Sequence, residues 1–348
     1  MKTILLVASF FCLAGFVCPV SVAQAQSKNL SHYHIIDSVA LGGEGGWDYC
    51  IVDSASERLY TSRGTRTQVI DLDKKSVVGE IPNTNGVHGI AIVPRLNKGY
   101  TSNGRDSSVT AFDLTKLNVL NTVRIDGQNP DAILYDPASD RVMTFNGRSS
   151  NATVLDVETD QILATIPLSG KPEFAVFDGT GHVYVNIEDK SEITDIDANS
   201  LKVVRSWKLA PGEEPSGLAI DRANRLLFSV CSNKMMAISN IDSGRVIATV
   251  PIGEGVDAAA FDPDHMLAFS SNGEGTMTVV KEESPTKFSV MGKVPTRRGA
   301  RTMALDYKTH KIYMVTAKFG LPPAPTADRP RPRPSILPGS VTLYVIGE

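Results

Sequence analysis

Lys98–Gly127 reads KGYTSNGRDSSVTAFDLTKLNVLNTVRIDG. Three strands are predicted here. Gly99–Ser102 forms the first, Ser108–Leu114 the second and Val119–Ile125 the third. Asn103-Gly104 is expected to open a tight turn, because both residues tolerate positive φ. In the middle strand Val109, Ala111 and Asp113 alternate with Thr110, Phe112 and Leu114, the two-residue period of a pleated strand.

The same text recurs outward in both directions. Short apolar runs end at Asp53, Pro94, Asp136, Asp178, Asp221, Asp262 and Asp306, every 41–44 residues. A second marker follows in register at Asp71, Asp113, Asp156 and Asp197, then Asn240 and Lys281. A period in the low forties with four short strands per unit predicts an all-β, seven-bladed β-propeller. No 3.6-residue apolar periodicity is sustained anywhere, which excludes helical repeats.

The segments YTSNGRDSSVTAFDL (100–114), VYVNIEDKSEITDID (183–197) and LYTSRGTRTQVIDL (59–72) resemble the YVTN-type repeats of YncE-like seven-bladed propellers. The resemblance runs from about Tyr33 to Ile346. It implies the fold and a binding role, nucleic acid included. It supplies no catalytic set, since unrelated activities share this architecture.

The last unit, Arg301–Ile346, holds only three strands. His34–Val39 matches the fourth strand of other units, such as Val77–Ile81. The N-terminal strand is therefore expected to close the ring, which removes exposed edges. Ahead of it, Met1–Ala25 carries Lys2, an apolar core at Ile4–Val17 and the A-x-A site Ala23-Gln24-Ala25. That is the pattern of a secretory signal, and a periplasmic or secreted location follows. Residues 26–348 would then form one propeller domain. A net charge of −3 and 21% charged residues give no global attraction to nucleic acid or anionic membrane. No later apolar run would span a bilayer, and a monomer is expected. Beyond the signal, Cys50 and Cys231 fall in units one and five and are expected to stay unpaired.

Strand alternation sorts the loops onto two faces. On the bottom, Asp71, Asp113, Asp156 and Asp197 should cap hairpin turns. His182, His265 and His310 follow the first marker by three or four residues. They come from different blades, so they are expected to lie a propeller radius apart as turn residues.

On the top, five residues before each first marker, stand Asp48, Gly89, Asp131, Glu173, Ser216, Asp257 and Arg301. These positions should ring the channel mouth, with Trp47 and His88 beside them. Further out, Arg63, Arg105, Arg148, Lys190, Lys234 and Lys318 should form a basic annulus, with Glu274 the exception. An acidic centre inside a basic annulus suits a zwitterionic ligand. Phe319–Gly339 is a Pro/Arg-rich insertion carrying Arg329, Arg331 and Arg333. It reads as extended polyproline II that could cover the mouth or meet a partner. The glycine-rich Leu41–Trp47 lacks the Gly-Lys-Ser/Thr of a phosphate loop and reads as a flexible inter-blade loop.

Nucleophile-elbow, zinc-protease and C-x-x-C motifs are missing. The leading expectation is an exported, non-catalytic binding or scaffold propeller that takes a small molecule or a protein on its top face, with no cofactor or metal. One alternative is a lactonase-like propeller hydrolase with Ca²⁺ held at the axis by the acidic mouth. Others are a nucleic-acid-binding protein, as the resemblance implies, and a subunit of a redox or envelope assembly.

Overall fold

In a computed structural model, which describes residues 33–326, 332 and 334–348, seven four-stranded antiparallel sheets form a ring. The innermost strand of each blade touches those of both neighbours, and blade seven meets blades six and one. The fold is therefore the predicted seven-bladed propeller. The sequence readings on Met1–Ala25 and on Arg329, Arg331 and Arg333 fall outside the described residues. Among those that are described, no helix is long and apolar enough to cross a membrane.

Blade one runs Cys50–Asp53, Arg58–Ser62, Thr67–Asp71 and Ser76–Ile81 from axis to rim. Blades two to six repeat the plan. Blade seven is built from Ala304–Leu305, Ile312–Thr316 and Thr342–Gly347, and His34–Ala40 adds its outer strand. His34 pairs with Gly347 and Ala40 with Thr342. The N-terminal strand closes the ring as its sequence match required.

Second and third strands are buried on both sides, packed between adjacent blades. Leu59, Tyr60, Val69 and Ile70 exclude solvent completely. Each such aliphatic or aromatic side chain contributes about 1.5–3 kcal/mol. Outer strands alternate exposed and half-buried residues, as in Arg245–Pro251, because only one face meets a neighbour.

The recurring Asn has a different job from the one its sequence suggests. The turn after Lys98–Asn103 places Ser107 in the left-handed region (φ 47°), not Asn103. Asn103 ends its strand, fully buried, and its Nδ2 donates to Ser108 Oγ (3.1 Å) and Thr110 Oγ1 (2.9 Å). Its Oδ1 accepts from Thr101 Oγ1 at 3.0 Å. Asn146 and Asn272 repeat this network with Thr144, Asn151 and Thr153, and with Ser270, Thr276 and Thr278. The Asn recurs because a buried amide without these partners would cost about 1–3 kcal/mol.

The bottom caps form as expected. Asp71, Asp113, Asp156 and Asp197 each accept turn amides, for example Lys74 N to Asp71 at 2.8 Å. The histidine expectation fails in part. His182 bonds Asp195 of its own blade at 2.8 Å, but the His265 and His310 rings lie 4.4 Å apart. Blades six and seven are neighbours, and near the axis their turns converge. Cys50 and Cys231 are both free.

Candidate functional site: the channel mouth

The residues that ring the mouth are set there by a repeated irregularity. The ladder between first and second strands breaks between Val87 and Ile90, Pro130 and Ile133, Pro172 and Ala175, Pro215 and Leu218, and Val256 and Ala259. Each break spans a ring position: His88-Gly89, Asp131, Glu173, Ser216 and Asp257. Such bulges re-aim side chains, here toward the axis. Serines of the second strands accept backbone amides at this level. Ser62 Oγ accepts from Asp48 N at 2.8 Å, Ser102 Oγ from Gly89 N at 2.9 Å and Ser271 Oγ from Ala258 N at 3.1 Å.

The ring is an alternating chain of charges, with Arg301 and His88 set between the carboxylates. Asp257 Oδ2 faces Arg301 Nε at 3.5 Å, and Arg301 Nη2 faces Asp48 Oδ1 at 3.6 Å. Asp48 Oδ2 meets His88 Nδ1 at 2.6 Å, and His88 Nδ1 lies 3.7 Å from Asp131 Oδ1. Glu173 is held by Lys171 at 2.6 Å. Gly104 makes room for the imidazole, since a Cβ there would lie 2.7 Å from His88 Nε2.

Carboxylates still exceed their partners in a buried setting. Burial pushes Asp257 up to about 7, with Asp48 adding to it and Arg301 opposing. Burial and Asp48 raise Asp131 against the pull of His88. Burial and Asp131 raise Glu173 against Lys171. His88 is also raised: burial disfavours its cation, but the bond to Asp48 and the field of Asp131 outweigh this. The carboxylates of the mouth thus hold protons more readily than they would in water.

One residue below the ring, Tyr49 and Phe174 close the channel with ring centroids 5.5 Å apart. Beneath them lies an apolar chamber of about 530 Å³, which reaches Arg222 and Tyr307 at the far end. Beside the ring, a second pocket of about 450 Å³ is walled by Trp47, Phe319, Ile336, Arg298 and Arg301. The stem of the insertion builds its outer wall. Phe319 bridges to Ile336, Leu337 N donates to Lys318 O at 2.9 Å, and Phe319 packs on Trp47 at 6.2 Å.

The basic annulus is not continuous. Arg105 and Arg148 are exposed on the rim. Arg63 is not: it excludes solvent completely, and its guanidinium donates to Gln68 Oε1 and to the carbonyls of Gly42, Glu44 and Gly45. The Leu41–Trp47 loop is therefore tied down rather than flexible. Gly45, at φ 96°, comes so close that a Cβ would lie 2.7 Å from Arg63 O. Lys190 and Lys234 are engaged by Asp189 and Glu254.

Neither a protein-family model nor a curated protein matches the chain.

Proposed function

We propose that this propeller is a binding protein whose top face takes a small amphoteric molecule. Its ammonium group would enter the Asp131–Glu173–Asp257 arc. A flat portion would lie between Trp47 and Phe319, and an anionic end would meet Arg298 and Arg301. One observation carries this reading: three carboxylates with raised pKa, Glu173 buried and Asp131 and Asp257 half-buried, share a mouth that has an aromatic floor and a cationic aromatic pocket at its side. A bound cation relieves the carboxylate crowding, and the low-dielectric walls strengthen that attraction.

The calcium-hydrolase alternative has less support. The tightest donor group at the mouth is Asp48, His88 and Asp131, and an imidazole sits where calcium prefers oxygen. A single-stranded nucleic-acid site would combine a basic groove with stacking platforms. Here carboxylates outnumber their basic partners at the centre, which disfavours a polyanion, and Arg63 is withdrawn from the rim.

A thermal-shift series tests the proposal, with spermidine, glycine betaine, tryptophan, calcium chloride and a short oligonucleotide as probes. Cationic or amphoteric probes should stabilise the wild type and lose that effect in Asp131→Asn/Glu173→Gln. Tryptophan stabilisation should also be lost in Trp47→Ala. Equal shifts in wild type and double variant would overturn it.

A further inference from the structure

We propose that Asp262, His265 and His310 form a binding site for a divalent transition-metal ion on the face opposite the mouth. Their donor atoms all lie within 4.8 Å of one another.

The argument begins with the turn that follows the innermost strand. In three blades one carboxylate oxygen of the marker Asp takes the hydroxyl three residues on, at 2.6 Å: Ser56 on Asp53, Ser139 on Asp136 and Thr309 on Asp306. Blade six replaces that hydroxyl with the imidazole of His265, whose Nδ1 lies 2.8 Å from Asp262 Oδ2. The backbone cap of the turn does not need this oxygen. Asp262 Oδ1 already accepts from Asp264 N at 3.1 Å and His265 N at 3.3 Å.

A second imidazole arrives from blade seven. His310 ends the equivalent turn there in the left-handed region (φ 58°), and its Nδ1 lies 2.9 Å from the same Asp262 Oδ2. One carboxylate oxygen of Asp262, whose side chain is 1% exposed, thus faces two ring nitrogens whose side chains are 51% and 30% exposed. The carboxylate donor is buried, and the two imidazoles stand on its solvent side.

Two imidazoles and one carboxylate select Zn²⁺, Cu²⁺ or Ni²⁺ over Ca²⁺ or Mg²⁺. Bonds of about 2.0–2.1 Å in a tetrahedral site separate donors by roughly 3.3 Å. The two carboxylate–imidazole separations, 2.8 and 2.9 Å, would open by about half an ångström, and the two imidazoles, whose donors lie within 4.8 Å, would settle by side-chain rotation. No net proton is released when neutral rings bind. Each moves its hydrogen from Nδ1 to Nε2 and ligates through Nδ1. Asp264 Oδ2, now 3.8 Å from His310 Nε2, would accept that relocated hydrogen after a small side-chain movement. Remaining coordination positions face solvent. The ion would staple blade six to blade seven.

The test uses the untagged chain, stripped with EDTA, in calorimetric titration and thermal unfolding with zinc, and with calcium in parallel. The wild type should bind one zinc at this site and melt higher with it. His265→Gln and His310→Gln, singly and together, should abolish that binding while leaving the melting temperature in EDTA unchanged. His88→Gln should keep it, and Asp264→Ala should weaken it about tenfold. Asp262 is left intact because it caps the turn. Zinc binding that is absent from the wild type, survives the double variant or is lost only in His88→Gln would overturn the proposal. So would calcium binding with the same histidine dependence.

Discussion

Tyr49 and Phe174 stand on blades one and four, on opposite sides of the axis, yet their rings pack against each other. The propeller is therefore not an open tube. A polar, charged cup lies above the two rings and an apolar chamber below them, and a ligand at the mouth meets an aromatic floor rather than a column of water.

Removing half of that floor should be costly. Phe174→Ala is expected to lower the unfolding free energy by about 2–4 kcal/mol, through lost burial and the cavity left behind. Urea denaturation measures this. A loss below about 0.5 kcal/mol, the scale of a surface substitution, would mean that the rings merely abut.

Arg63 and Arg105 occupy the same repeat position but should respond differently. Arg63→Ala leaves the carbonyls of Gly42, Glu44 and Gly45 without a donor and is expected to cost about 2–4 kcal/mol. Arg105→Ala, on the exposed rim, should change stability by about 0.5 kcal/mol or less. Thermal melts of the two variants side by side would reveal any similarity.

Asp257 makes a pH prediction whose sign is fixed. Its carboxyl is raised to about 7 in the folded protein, against 3.8 as the ordinary value. Between those two values the folded state holds the proton more tightly, so this group's stabilising contribution is present at low pH. It is lost as pH rises through about 7. Asp257→Asn should therefore flatten the decline of unfolding free energy between about pH 4 and pH 7. Urea curves at three pH values check this. An unchanged slope would show that Asp257 is ionised throughout.

Deleting residues 34–40 strips blade seven of its outer strand and exposes the edge of Thr342–Gly347. The melting temperature should fall by about 10 °C or more, a loss of several kcal/mol for a domain this size. Self-association should accompany the fall, because unpaired edges template pairing. A shortened protein that melts like the full chain would refute the role of this strand.

The seven blades were legible because each unit repeats an apolar run and its terminal Asp, and strand number and closure follow from counting. Repeat register also placed Asp48, Asp131, Glu173, Asp257 and Arg301 at one level. It could not show how their charges pair, because bulges in five blades turn the side chains inward by amounts no spacing encodes. Arg63 was misplaced because the glycine-rich loop that buries it precedes blade one alone. Asn103 was read as a turn residue because its partners, Ser108 and Thr110, lie across the hairpin. His265 and His310 were expected apart because they come from different blades, and their meeting depends on the turns of two neighbouring blades converging.

Closure by the N-terminal strand also bears on how the protein comes to be made. His34 and Gly347 are partners about 310 residues apart in the chain, so this ladder is a contact of very high order. A ribosome must deliver nearly everything between them before the first strand finds its edge. Through that interval the nascent polypeptide carries an unmated strand, and the growing array keeps an open flank. Ring completion therefore waits for the last strand of the chain, and residues 34–40 stay without their native edge until then.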